Sequence, residues 1–354
     1  MSAPVAGTAR RRWLVGPAAD LALVALPFVL GAGLALVPQE DPPPLWAFLL
    51  LIVAFDVAHV WATLYLSYLD RPAFERRRLL FLLPIPLAIA ATYRLHGLDP
   101  SLFWSLLAYV AIHHFAAQQW GFVALYARKA GERDPFDRRL DKWTLWTGAL
   151  GPVLLWHASG RDFDWFGHGE RFLLRVDPAL RGDIVAGMAL VALVYVGRQA
   201  WLAARGRFNP GKNAWMLAAW ASWSVGLALD RHPLVSLALI NLLHGIPFLV
   251  LVWLRLRAGA ARGAQGRLVG WFAARAWAFL GLVALLALCE EGLWDGLVWG
   301  GTYLGERAVE LSPRARTLAV ALLATPQIVH YVLDAFLWKL DGSNPDFEAL
   351  LDAG

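Results

Sequence analysis

The stretch 325–339 reads Thr-Pro-Gln-Ile-Val-His-Tyr-Val-Leu-Asp-Ala-Phe-Leu-Trp-Lys and closes a long apolar run. Within it, Gln327, His330 and Asp334 recur at helical spacing, so their side chains share one side of a predicted helix. An ionisable side chain inside a membrane costs several kcal/mol, and such residues usually mark functional sites. This stretch therefore predicts a membrane helix that carries part of a site.

The composition of the whole chain indicates an integral membrane protein. Apolar residues make up 58% of the 354 positions and charged residues only 17%. Several apolar runs exceed the roughly 18 residues that mark a spanning helix. The runs are continuous and do not alternate, which predicts helices and excludes a barrel. The predicted fold class is therefore all-α, a polytopic integral-membrane helical bundle.

The apolar runs predict about ten transmembrane helices, each of about 17–25 residues. They cover 19–37, 45–68, 79–95, 101–126, 142–158, 182–203, 213–229, 234–254, 270–289 and 316–338. Most basic residues face the cytoplasm if both termini are inside, so the positive-inside rule predicts an N-in/C-in topology. The abundance of Arg, Ala, Gly and Leu is typical of a GC-rich bacterial genome. The expected location is the bacterial inner (plasma) membrane.

The chain is predicted to form a single transmembrane domain over 1–354. Its predicted parts outside the spans are a cytoplasmic N-terminus at 1–18 with an uncleaved signal anchor, interfacial outside loops at 159–181 and 290–315, and a cytoplasmic tail at 339–354. The carboxylates Glu290, Glu291 and Asp295 are predicted to be solvated. The net charge of +5 lies mainly in short loops between spans, so no nucleic-acid partner is expected.

Four predicted spans carry a histidine with a polar residue one helical turn away. The pairs are Asp56 with His59, His114 with Gln118, Asn241 with His244, and His330 with Asp334. These four spans cross the membrane in the same direction in the predicted topology. At 1.5 Å per residue, their histidines lie roughly 12–18 Å below the cytoplasmic surface. A single depth on four parallel helices predicts that the four places meet.

A metal site is the predicted result of this convergence. The candidate metal ligands are His59, His113, His114, His244 and His330, and the candidate catalytic residues are Asp56, Asp334 and Gln118. His113 and His114 point about 100° apart, so at most one faces the cluster; His114 is favoured because Gln118 follows it by one turn. The polar neighbours are expected to orient the imidazoles, or the carboxylates are ligands themselves. Interhelical hydrogen bonding is the non-functional alternative.

Ligation by imidazole without a usable thiol suits iron, zinc, copper or manganese, and the only cysteine is Cys289. The residues Asp56-x-x-His59, His113-His114, His244 and His330-x-x-x-Asp334 resemble the histidine-rich integral-membrane non-haem iron oxygenases and desaturases. They are also loosely similar to the bacterial carotene-cleaving dioxygenases, whose iron sits on isolated histidines from separate helices. The chain departs from fatty-acid hydroxylases and desaturases in lacking their multi-histidine boxes.

This resemblance implies a non-haem iron cofactor, or zinc or another transition metal in its place. It implies an oxidoreductase that acts on a lipid-like hydrophobic substrate, which enters laterally from the surrounding membrane lipids. The substrate candidates are an isoprenoid, a carotenoid, a sterol or an acyl chain. An electron donor is a further candidate partner.

The same residues leave other functions open. A zinc-dependent intramembrane hydrolase would use Asp56 or Asp334 as a general base, although the chain has no H-E-x-x-H motif. A proton or solute transporter would use the histidines and carboxylates as a relay, but no internal repeat is visible in the sequence. A haem-binding electron carrier needs only two facing histidines.

Overall fold

The computed structural model describes residues 12–36, 44–160, 171–229, 233–304, 309–344, 347–348 and 351. Helices dominate these residues and no strand occurs among them, which confirms the all-α class. Among the described residues, seven helices are long and apolar enough to cross a membrane. The protein is therefore a polytopic helical bundle.

We number the described helices in chain order. They are α1 Pro17–Leu34, α2 Leu45–Leu66, α3 Arg71–Arg76, α4 Arg78–Leu98, α5 Pro100–Lys129, α6 Pro135–His157, α7 Pro178–Ala204, α8 Pro210–Trp223 with its π-helical continuation Ser224–Leu229, α9 Pro233–Ala261, α10 Arg267–Ala273, α11 Ala276–Trp299 and α12 Pro313–Leu337.

Each predicted span coincides with one of these helices, except the ninth, which covers parts of α10 and α11. The seven spanning candidates are α1, α2, α4, α7, α9, α11 and α12. Helices α5, α6 and α8 coincide with the fourth, fifth and seventh predicted spans but fall outside this apolar group. Polar side chains along α5, such as Gln118 and Gln119, lower its hydropathy. The count of about ten spans and the N-in/C-in orientation therefore remain predictions.

The ninth span begins and ends later than predicted. A break after Ala273 separates α10 from α11, and α11 continues to Trp299, beyond the predicted end at residue 289. The first part of the predicted outer loop 290–315 is therefore helical. Parts of the other segments between and beyond the predicted spans are not among the described residues. These parts are 161–170 of the outer loop, 1–11 of the N-terminus and most of 345–354 of the tail.

The prediction that three carboxylates of α11 are solvated is wrong. Glu290 and Glu291 are each only 7% exposed, and Asp295 is fully buried. Glu290 accepts hydrogen bonds from the indole nitrogens of Trp61 and Trp294. Asp295 accepts two more from backbone amides. Such partners replace water, so the carboxylates of Glu290 and Asp295 are tolerated inside the bundle.

Helix α9 is the centre of the bundle and packs against α1, α2, α5 and α8. Its residues are far more buried than those of α1 or α7, because it is surrounded by other helices. Gly245 allows the closest of these approaches, since a side chain there would overlap the carbonyl oxygen of Phe55 on α2. The absence of a β-carbon at this position lets α9 lie directly against α2.

Two of the helices that carry histidines change their geometry along their length. In α2, a π-helical segment Phe48–Val57 gives way to a regular turn, and a 3₁₀ segment follows at Thr63–Leu66. Helix α12 consists of two segments that meet at Ala324. Pro326 has no N–H for the carbonyl one turn earlier, which explains the break.

Candidate metal centre

Four histidines from four helices meet in the interior of the bundle. They are His59 on α2, His114 on α5, His244 on α9 and His330 on α12. One ligand nitrogen from each lies within 4.8 Å of those of the other three, and all four side chains are buried. The convergence expected from the sequence is therefore present.

The imidazoles form a closed ring of edge-to-face contacts, which we call the four-histidine ring. Neighbouring ring centroids are 4.4–5.0 Å apart, in the order His59, His244, His114, His330 and back to His59. Each imidazole is thus packed against two others. This arrangement directs nitrogen atoms toward a common centre.

Two nitrogen separations within the four-histidine ring match those expected around a single transition-metal ion. The Nε2 atoms of His59 and His244 are 2.9 Å apart, and those of His114 and His330 are 3.2 Å apart. Around an ion held at 2.0–2.1 Å, neighbouring nitrogens are roughly 3.3 Å apart in a tetrahedron and roughly 2.9 Å apart in an octahedron. The residues present therefore match the donor set and the spacing of such a site.

Backbone geometry orients His59. Its Nδ1 lies 3.3 Å from the carbonyl oxygen of Phe55, one turn earlier in α2. A carbonyl oxygen only accepts, so Nδ1 carries the hydrogen and Nε2 carries the lone pair. That lone pair points at His244 and the common centre. Metal-binding histidines are usually held in this way through their other nitrogen.

A threonine hydroxyl has the same role for His330. The Oγ1 atom of Thr63 lies 2.7 Å from Nδ1 of His330, and both side chains are buried. When Nδ1 donates this hydrogen bond, Nε2 is left as the ligand atom. Sequence reasoning missed Thr63, although its position one turn after His59 on the same helix face was an available signal.

Asp334 faces the ligand atoms of two histidines. Its Oδ2 lies 3.8 Å from Nε2 of His330 and 3.9 Å from Nε2 of His114, while Oδ1 accepts a hydrogen bond from the indole of Trp338. The sequence predicted a carboxylate that either orients His330 from its outer nitrogen or binds the metal itself, and the structure does not place it at the outer nitrogen. Instead, the carboxylate borders the centre of the ring, where its negative charge would stabilise a cation.

Two predicted site residues have other roles. His113 is exposed and its ring contacts Trp146, so it lies outside the four-histidine ring and is not one of the converging ligands. Its position follows from the angle of about 100° between consecutive residues of a helix. Gln118 was expected to support His114, but its side-chain nitrogen donates to the backbone carbonyl of His244 at 2.8 Å. This hydrogen bond links α5 to α9 through the backbone, and it does not involve an imidazole nitrogen.

The predicted partners of two other histidines are also not at hydrogen-bond distance. The nearest oxygen of Asp56 is 4.0 Å from Nδ1 of His59, and the Phe55 carbonyl takes its place. Asn241 is buried one turn before His244, yet Nδ1 of His244 has no hydrogen-bond partner among the described residues. Polar neighbours at helical spacing were therefore a weaker guide to contacts than the histidines themselves.

Aromatic side chains surround the four-histidine ring. Phe115 lies 4.1 Å from the His244 ring, and Tyr331 lies 4.3 Å from the His114 ring, measured between centroids. Phe248 contacts both His59 and His330. This apolar wall limits the access of water to the centre. It also fixes the rings by packing from outside.

A cavity of about 260 Å³ reaches this centre from the side of the bundle. We call it the lateral cleft. It lies between α2, α4 and α12 and is bounded in part by Thr63 and His330. The cleft therefore provides a place for a ligand beside the four-histidine ring.

Comparisons of the chain with protein-family models, with curated proteins and with solved structures find no match. The expected relationship to non-haem iron oxygenases thus stays a prediction. Any functional conclusion must be based on the four-histidine ring and its surroundings.

Proposed function

We propose that His59, His114, His244 and His330 hold one transition-metal ion and that the protein is a membrane-embedded metalloenzyme. The observation that carries this proposal is the convergence of four buried imidazole nitrogens within 4.8 Å of one another. Buried imidazole nitrogens that converge on one point are a donor set that transition-metal ions bind, so a shared cation accounts for the arrangement.

Iron is the metal that the surroundings favour. The donor set is imidazole with a nearby carboxylate, and the single thiol, Cys289, lies exposed on α11. Such nitrogen and oxygen ligands suit non-haem iron. When bound, iron would supply the activation of dioxygen. The reaction class that we propose is an oxygenase or desaturase acting on a lipid-like hydrophobic substrate, with an electron donor as its partner.

The protein side chains have separate tasks in this proposal. The four histidines bind the metal, while Phe55 and Thr63 orient two of them through their outer nitrogens. Asp334 places a carboxylate beside the ligand atoms and balances positive charge there. The aromatic wall keeps water from the reacting atoms, which protects reactive species from side reactions.

The proposed location is the bacterial inner membrane with both termini in the cytoplasm. The seven apolar helices support a membrane protein, and the Arg-rich composition and the positive-inside distribution support this placement. A zinc-dependent intramembrane hydrolase stays the alternative enzyme. Its specific support is Asp334, whose position next to the ligand atoms also suits a general base.

Elemental analysis of the purified protein tests the proposal. We expect stoichiometric iron in the wild-type protein and loss of the metal in His59→Ala, His114→Ala, His244→Ala and His330→Ala. His113→Ala is the matched control, since this neighbouring histidine is exposed and should retain the metal. Stoichiometric zinc would favour the hydrolase. A wild-type protein without transition metal would refute the metal centre and leave transport as the better hypothesis.

A further inference from the structure

The lateral cleft connects the lipid-facing side of the bundle with the four-histidine ring. Its described lining residues come from three helices and from the turn after α2: Val60, Trp61, Thr63, Leu64, Tyr68, Ile85, Thr325, Pro326, Val329 and His330. Around Ile85, the α4 residues Leu83 and Leu87 are exposed at the bundle surface, where lipid chains would surround them. A molecule in the cleft would thus extend from the bilayer to a metal ligand.

The polar side chains in the cleft wall are already occupied by partners inside the protein. The hydroxyl of Thr63 is bonded to His330, that of Thr325 to the Ala321 carbonyl, that of Tyr68 to the Phe81 carbonyl, and the Trp61 indole to Glu290. A polar ligand would find few free hydrogen-bonding groups here and would lose its own hydrogen bonds to water. The wall therefore selects an apolar occupant.

The size of the cleft restricts the shape of this occupant. Its volume of about 260 Å³ lies just below the roughly 300–1,000 Å³ of pockets that enclose a drug-sized ligand. A broad fused-ring molecule does not fit a space of this size, whereas a single extended chain can place its inner part there and leave the rest in the bilayer. Thr325 and Pro326, which follow the break in α12 at Ala324, contribute to the cleft wall.

We infer that the lateral cleft binds one extended hydrocarbon chain of a membrane lipid or linear isoprenoid, with its inner end beside His330. This inference rests on the proposed function and narrows its substrate class. It excludes sterols and other fused-ring substrates. The chain would enter sideways from the bilayer, so that its apolar surface passes directly from lipid to protein.

Photolabelling with a fatty acid that carries a diazirine on its chain tests this inference. The metal-loaded protein is placed in phosphatidylcholine nanodiscs, irradiated with the probe, and its adducts are mapped by mass spectrometry. We expect adducts to concentrate on cleft residues, above the background on lipid-facing residues such as Leu87. A water-soluble diazirine of similar size should not label the cleft.

Two substitutions from different helices should block the cleft. Val329→Trp fills it from α12, and Ile85→Trp closes it from α4, so a folding failure of one variant leaves the other. Each should lower cleft labelling about tenfold. A loss of this size is expected when roughly two methylene groups of the bound chain are no longer buried. Val332→Trp is the matched control, because this residue lies on the exposed side of α12 and should keep wild-type labelling.

Metal content is measured in the same samples, so that the two proposals fail separately. Unchanged cleft labelling in Val329→Trp and Ile85→Trp, or adducts spread evenly over the lipid-facing surface, would overturn the cleft inference even when the metal is bound. If the purified wild-type protein contains no metal but its cleft is still labelled specifically, the metal centre is refuted and the lipid-chain site is retained.

Discussion

The histidines of the ring differ in how their outer nitrogens are held. His59 is fixed by the Phe55 carbonyl and His330 by the Thr63 hydroxyl, while Nδ1 of His244 has no hydrogen-bond partner among the described residues. Side chains locked by such bonds are held in the binding geometry before a ligand arrives. We infer that His59 and His330 form the preorganised part of the site and that His244 adjusts to the metal.

Thr63→Val should weaken metal binding without changing side-chain size. The valine lacks the hydroxyl that holds Nδ1 of His330, and loss of such an outer partner typically costs about 10- to 100-fold in metal affinity. The measurement is competition for the metal against a chelator of known affinity. Thr63→Ser restores a hydroxyl and should recover most of the affinity. Equal affinities of Thr63→Val and the wild-type protein would contradict this role.

Helix α2 combines three helical geometries around the site. The wide π-helical turns end at Val57, one regular segment carries His59, and tighter 3₁₀ turns begin at Thr63. π-Helical and 3₁₀ stretches inside helices are common at functional sites, because they re-aim side chains. In α2 they flank the regular segment that carries His59.

Gly245→Ala should disturb the site by separating α9 from α2. The new methyl group would overlap the Phe55 carbonyl oxygen, so the helices must shift apart, and overpacking of this kind costs about 1–3 kcal/mol. We expect a lower thermal unfolding temperature in detergent together with weaker metal binding. The shift would move His244, which lies on α9, away from His59 on α2.

Gly281→Ala is the control for this prediction. The glycine lies on α11, where an added methyl group meets no other atom within 4 Å. Alanine is the better helix former by about 1 kcal/mol, so this variant should be as stable as the wild-type protein or slightly more stable. Equal behaviour of the two alanine variants would show that the contact between α9 and α2 tolerates a side chain.

At the scale of the molecule, the predicted orientation places the two ends of α12 on opposite sides of the membrane. Cys289→Ser removes the native thiol, and single cysteines are then introduced at Glu310 and Ser343, which flank α12 and are exposed. A membrane-impermeant maleimide should label Glu310→Cys in intact spheroplasts and Ser343→Cys only after lysis. The reverse pattern would show that the N-in/C-in prediction is wrong.

The sequence was sufficient to predict the helical bundle and the meeting of the histidines. A histidine in an apolar run is conspicuous because it is costly there, and equal depth follows from counting residues along parallel helices. The choice between His113 and His114 depends on helix rotation, which only packing determines. Their exposure in the structure separates them, since His114 is buried and His113 is exposed.

The finer contacts depended on details that a residue pattern does not contain. Asp56 was expected to share a helix face with His59, yet Asp56 lies in the π-helical segment of α2 and His59 in the regular segment after it, and a backbone carbonyl takes the closer position. Glu290 was predicted to be solvated because it follows the predicted end of the ninth span. Its indole partner Trp61 lies 229 positions earlier in the chain, so the sequence did not reveal the contact. Such distant pairs become visible only after the helices are packed.

The four-histidine ring also has a consequence for biosynthesis. Its hydrogen-bonded nitrogen pairs join residues 185 and 216 positions apart, and its last member lies on α12. A chain that emerges from the ribosome in order cannot complete this ring until α12 has been inserted. Metal would therefore be acquired after translation of that helix, and a loaded site would report that the whole bundle has assembled.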